Sequence, residues 1–291
     1  IVDQVAGSTI QWQSSTDNLS FTNISGATGT DYVATIYQDT YFRAMVTSVG
    51  CSKLSTTTTV TADVSSMVTK SIGTQSGATA TKNYPFNEYY DFSWSNMIYK
   101  ATEINGSGKL SRVSFNVANA PNNITVQNQL IYVKTTTATG YANSNYPGTS
   151  GFTLVYEGPI TFNGSGWKEI IFNKGQFYYN GTDNLEFLFE NRSGDYVNDY
   201  PTFYGITGGQ ADYRIRRDYK DDNFPTTCYS CSRVQNLLNI QMKFFPCTNT
   251  AGTASATNAN LCTNTSTTIN LSGQTPGSTI QWQSSTDNIT F

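Results

Sequence analysis

Tyrosines, carboxylates and a few cysteines are the side chains available for chemistry in this 291-residue chain, which has no histidine. Without imidazole, Ser-His-Asp and Cys-His nucleophilic sites and HExxH zinc sites are excluded together. Carboxylate-only chemistry, of the kind that cleaves glycosidic bonds, survives that exclusion. Its candidates are Glu157, Glu169, Glu186 and Glu190, but no spacing selects a pair. The expectation is that the chain is not an enzyme.

Binding chemistry is better represented. Tyr84, Phe86, Tyr89, Tyr90, Phe92 and Trp94 crowd one turn-rich stretch. Exposed rings of this kind offer flat apolar area with a polar tip, which suits the face of a sugar. Equally, such rings plug a sandwich end or fill a core. A second group alternates polar and aromatic residues: Tyr196, Asp199, Tyr200, Tyr204, Tyr213, Arg214, Arg216, Arg217 and Tyr219. Arginine beside tyrosine can stack on and hydrogen-bond a glycan or an acidic polymer, and it can also be a solvated strand face. The candidate ligand contacts are therefore Tyr89, Tyr90, Trp94, Tyr200, Tyr204, Arg214 and Arg216. Asp218, Asp221 and Asp222, with Asp195, are candidate oxygen ligands for Ca2+, although no EF-hand loop is present and a charged turn accounts for them too. No other cofactor is expected. Cys228 and Cys231 form a CxxC pair, which in a chain without histidine reads as a structural disulfide more readily than as a zinc site. Cys247 is a further disulfide candidate.

The elements that must position these groups are strands. Aromatic residues make up 13% of the chain and charged residues 13%, with abundant Thr, Ser, Asn and Gly between them. That mixture suits short half-buried strands joined by polar turns. The net charge is −3 and no basic stripe is present, so nucleic acid is not an expected partner. No apolar run is long enough to span a membrane as a helix. The chain opens inside a strand-like segment at Ile1 with no leader, which fits an internal fragment of an exported protein. An extracellular, cell-surface location is expected.

Residues 7–18 read GSTIQWQSSTDN, and residues 277–288 repeat the same letters at an offset of 270 residues. Laid in register, residues 247–291 and 22–63 rebuild one unit of about 87 residues. Its segments TSTTINLSG, STIQWQSS, DYVAT, TYFRAMVTS and STTTTVTAD read as the short strands of a β-sandwich. Trp12 and Trp282 occupy the place of the buried strand-C tryptophan of an immunoglobulin-like (Ig-like) sandwich. The run Asp39-Thr40-Tyr41 reads as the tyrosine corner that opens strand F. Arg43 stands where an antibody-type domain has its strand-F cysteine.

The pattern IQWQSSTDN…FTNISGATGTDY…TYFRAMVTS resembles the Ig-like repeats of very large surface proteins of Bacteroidota. That group includes adhesins exported by the type IX pathway and the giant gliding-motility adhesin. The resemblance covers residues 1–63 and 247–291. It implies a secreted, tandemly repeated cell-surface adhesin, with roles in adhesion, surface filaments or gliding. Expected partners are adjacent repeats of the same chain, glycans or other surface polymers, and laterally assembled copies. Cys51 and Cys262 are expected to pair at one end of the sandwich, each with a partner outside the fragment. The alternative is a carbohydrate-binding module of an extracellular polysaccharide-processing protein.

Between residues 67 and 246 the repeat stops. MIYKATEI, LSRVSFNVA, NQLIYVKTT, FTLVYEGPITF, KEIIFN, NLEFLFEN, TFYGI, DYRIRRDY and NIQMKFF are candidate strands, punctuated by Gly, Asn and Pro. They predict a jelly-roll-type sandwich with no helix. The expected fold is thus all-β: an incomplete Ig-like domain over 1–64, a jelly-roll-like sandwich over 67–246, and the first half of the next Ig-like domain over 247–291.

Overall fold

A computed structural model describes residues 7–73, 78–81, 84–206, 212–246, 252–273, 280–286 and 289. The chain divides into two units, Ile1–Pro246 and Cys247–Phe291. Its regular secondary structure among the described residues is strand apart from one turn of helix, and every strand pairing there is antiparallel.

The first unit opens with β1 (Thr9–Ser15), β2 (Thr22–Asn23), β3 (Thr40–Ser48), β4 (Cys51–Leu54) and β5 (Thr58–Val60). These form one sheet in the order β2-β1-β3-β4, with β5 also on β3. Antiparallel pairing of β1 with β3 is the pairing that strands C and F make in an Ig-like sheet. The register revises two details of the sequence reading. Trp12 lies opposite Ala44, which is fully buried, whereas Arg43 lies opposite Gln13. Side chains alternate across a sheet, so Ala44 shares the face of Trp12, and Arg43 and Tyr41 point the other way. There Arg43 donates to Gln13 Oε1 at 2.8 Å and stacks over Phe21. The second revision concerns DYVAT, which is not a strand. A strand needs a neighbour for its backbone groups, and residues 7–66 hold no second sheet to supply one. Tyr32 of that segment instead lays its ring near those of Trp12 and Phe42.

The rest of the first unit is a two-sheet sandwich. Its strands are β6 (Val68–Ile72), β7 (Ala78–Thr81), β8 (Phe92–Tyr99), β9 (Gly108–Asn119), β10 (Ile124–Thr136), β11 (Thr153–Phe162) and β12 (Gly166–Ile171). They continue as β13 (Phe177–Tyr179), β14 (Asn184–Asn191), β15 (Thr202–Ile206), β16 (Ile215–Lys220), β17 (Ser232–Val234), β18 (Leu237–Leu238) and β19 (Ile240–Phe245). One sheet runs β11-β10-β14-β8-β16-β17. The other runs β18-β15-β9-β19-β6, with β12 and β13 on β9 and β7 on β15. Alternation builds the core between them: Ile240, Met242 and Phe244 of β19 are buried while their neighbours are not. Phe115 of β9 meets Phe189 of β14 edge to face at 5.3 Å, joining the two sheets. Contrary to the all-strand reading of MIYKATEI, β8 ends at Tyr99 and one turn of helix, α1 (Ala101–Ile104), follows. The Glu103 carboxylate accepts the Lys100 backbone N–H at 3.0 Å, and the Glu103 N–H donates back to the Lys100 carbonyl.

Strand β8 is buried on both faces. Met97 and Tyr99 enter the inter-sheet core, while Trp94, Asn96 and Ile98 alternate to the outer face. Segments 138–147 and 221–231 cover that outer face. Trp94 Nε1 donates to the Pro225 carbonyl at 2.9 Å, and Asn96 accepts from Arg216 at 2.8 Å.

The second unit holds a hairpin of β20 (Thr253–Ala256) and β21 (Ile269–Ser272). Residues 280–286, which repeat the letters of β1, form no strand, and Trp282 is half exposed. The strand that pairs with β1 in the first copy has no counterpart among the described residues of this unit, so the reading of Trp282 as a buried strand-C tryptophan is left untested there. No helix among the described residues is long and apolar enough to cross a membrane.

Candidate functional site

The turn before β8 and the end of β16 are brought together by strand register. Tyr219 pairs across from Ser93, and Lys220 from Phe92, so the 87–91 turn overhangs Tyr219. Tyr90 and Tyr219 stack with ring centroids 4.3 Å apart. Tyr89 meets Tyr90 edge-on at 5.0 Å and Tyr200 edge-on at 5.5 Å. The Arg217 guanidinium lies 5.3 Å from the centre of the Tyr219 ring. Four tyrosines from three separate stretches thus form a continuous row, with Tyr89 the most exposed at 47%. Beside Tyr200 a shallow polar hollow is lined by Asn119, Asn198, Asp199 and Thr202.

The turn is fastened from beneath. Asn191 donates to the Tyr90 carbonyl, and Val197 N–H donates to the Glu88 carbonyl at 2.8 Å. Asp91 N–H donates to Asp221, and Asp222 N–H donates back to Asp91. The Glu88 carboxyl is buried with no hydrogen-bond partner on either oxygen, and burial pushes it up to about 8.

Other candidates fall elsewhere. Trp94 is 1% exposed under Pro225 and offers no surface to a ligand; the platform reading is corrected for this residue, because β8 is covered on both sides. Arg214 is corrected likewise. It is fully buried, its guanidinium forked onto the two carboxylate oxygens of Glu103. Arg216 is held by Asn96, Asn143 and the Tyr141 ring in the layer under residues 138–147. Tyr204 lies in β15, in the other sheet. Asp218 turns both carboxylate oxygens onto the backbone N–H groups of Tyr229 and Ser230, away from Asp221 and Asp222. No group of three or more metal-ligating side chains forms among the described residues. Asp218 instead caps the turn closed by a disulfide between Cys228 and Cys231. Cys51 and Cys262 are free and exposed, and Cys247 lies outside the described residues.

All four candidate acids are held by cations. Glu157 pairs with Lys174, Glu186 with Lys134 and Arg216, and Glu190 with Arg192. Glu190 also accepts from the Tyr146 hydroxyl. Burial raises the Glu169 carboxyl, but Lys243 and Arg112 outweigh that and hold it below the usual range. An acid catalyst requires the opposite shift.

Reading the letters alone groups Tyr89 with Trp94, places Tyr219 in a separate group and leaves it out of the candidate contacts. No local signal places residues 89 and 219 side by side. The β8–β16 register does.

Fold and surface together describe an all-β protein with a partly exposed tyrosine row at one end of the strands of a two-sheet sandwich. Residues 1–66 and 250–291 match a family described as a domain of unknown function (DUF8696). No curated protein and no solved structure matches the chain.

Proposed function

We propose that this chain is a structural and adhesive repeat of a large secreted cell-surface protein, and that the tyrosine row is its contact surface for glycans. The observation that carries the reading is the convergence of Tyr89, Tyr90, Tyr200 and Tyr219 into one partly exposed aromatic row. Tyrosine rings present apolar faces to the C–H side of a sugar and hydroxyls to its polar edge. The neighbouring Asn198, Asp199 and Asn119 supply the convergent polar groups that orient such a ligand. The 270-residue repeat supports the array role, since repetition multiplies weak contacts by raising effective concentration. Adjacent repeats and lateral copies are the proposed protein partners. A non-catalytic role is supported by the lack of histidine and by the cation-held acids.

The test is a glycan-array measurement on the intact chain, with and without calcium, beside Tyr89→Ala and Tyr200→Ala. Selective binding that both variants weaken about tenfold or more supports the reading, as a stacked ring is worth about 1 kcal/mol or more. Binding unchanged in both variants, or none to any glycan, overturns the contact surface and leaves only the array role.

A second reading is a carbohydrate-binding module attached to a polysaccharide-processing protein. The same tyrosine row favours it, and finding an appended catalytic domain in place of further repeats distinguishes it.

A further inference from the structure

A second surface lies where the sheet of residues 7–60 meets the sandwich. The 35–40 segment faces the edge formed by β11 and β12 across a cleft of about 630 Å³. Thr16, Thr35 and Tyr37 line one wall, and Tyr156, Thr161 and Lys168 the other. Arg112 ties the floor together: it pairs with Glu169 at 2.9 Å and reaches the Tyr37 carbonyl. None of these residues belongs to the tyrosine row.

Lys168 is the chemical clue. Its stem is half buried in β12, and the withdrawal of water lowers its pKa. No carboxylate answers its ammonium among the described residues. Glu169, the next residue, also lines the cleft, but its two carboxylate oxygens are taken by Arg112 and Lys243. Glu157 is held by Lys174. A partly desolvated cation without a counter-charge costs stability that an anion entering the cleft would recover.

We propose that this cleft binds an anionic sugar residue, with Lys168 as its charged contact and the Tyr37 and Tyr156 rings as its walls. The volume falls in the range of small-ligand sites, about 300–1,000 Å³, and admits one or two sugar rings. Threonine hydroxyls at Thr16 and Thr35 match a ligand rich in hydroxyls, since each can donate and accept. The ligand must carry a carboxylate or a sulfate, because a neutral sugar would leave the ammonium unanswered. The chain's net charge of −3 gives a polyanion no general attraction, so retention would have to be local.

The experiment measures binding of the intact chain to immobilised dextran, dextran sulfate and polygalacturonate, at low and high salt. Wild type retains at least one polyanion and not dextran; the retained polymer tells sulfate from carboxylate. Lys168→Met, which keeps the stem and removes the charge, lowers that affinity tenfold or more, or about 1.4 kcal/mol. Lys168→Arg keeps most of it, and unchanged melting temperatures show that both variants fold. Tyr89→Ala leaves polyanion binding intact, which separates this cleft from the tyrosine row. The proposal is overturned if neither polyanion binds, if dextran binds equally well, or if Lys168→Met binds like wild type.

Discussion

Replacing Glu88 with glutamine isolates the largest electrostatic cost under the tyrosine row. The Glu88 carboxyl is buried, unpartnered and raised from 4.5 to about 8 by desolvation. Between those values the folded chain keeps a proton that the unfolded chain releases, so rising pH favours unfolding. The slope approaches 1.4 kcal/mol per pH unit, and across the window the loss reaches about 5 kcal/mol, less whatever water entering the site recovers. Below pH 4.5 both states are protonated, and above pH 8 both are ionised, so the dependence flattens at each end. Glutamine has nearly the same shape and cannot ionise. Glu88→Gln should therefore melt close to wild type at pH 5 and about 10 °C or more above it at pH 8. Thermal melts of both chains from pH 5 to 9 measure this, and other titrating groups cancel in the difference. Because the Glu88 carbonyl receives Val197 N–H, tyrosine-row binding in wild type should weaken over the same window. Parallel melting curves for the two chains would refute the reasoning.

Two further outcomes follow from packing. Glu103→Gln strips the counter-charge from the fully buried Arg214 guanidinium and should cost about 3–5 kcal/mol in urea unfolding; a loss below about 1 kcal/mol would show that Arg214 has another anion. Gly108 opens β9 at φ +128°, and an added Cβ would sit 2.3 Å from the Phe245 carbonyl oxygen. Gly108→Ala should therefore destabilise by about 3 kcal/mol or more, and wild-type stability in the same unfolding assay would contradict that contact.

Much of the architecture was legible in the letters. Period-2 alternation in TFYGI and NIQMKFF is visible without coordinates, and these segments are β15 and β19 almost to the residue. The repeat of GSTIQWQSSTDN marks residues at the two ends of the chain as parts of one kind of unit, and the domain family matches those same stretches. Other features were not legible, because they depend on what lies opposite. Trp94 looks like a surface ring in a turn-rich stretch until Pro225, distant in sequence, covers it. Tyr89 and Tyr219 become neighbours only through the register of β8 with β16.

The repeated segment shows the division most directly. In its first copy, IQWQSS lies in β1, hydrogen-bonded along its length to β3, with Trp12 donating to the Gly29 carbonyl. In its second copy the same letters over 280–285 form no strand, and Trp282 stands half exposed. Composition and alternation make the segment competent to be a strand, since its aromatic and polar residues suit a half-buried pleat. Whether it becomes one is decided by a partner, because an extended backbone satisfies its N–H and C=O groups only across a ladder, and that ladder is a property of the assembled fold.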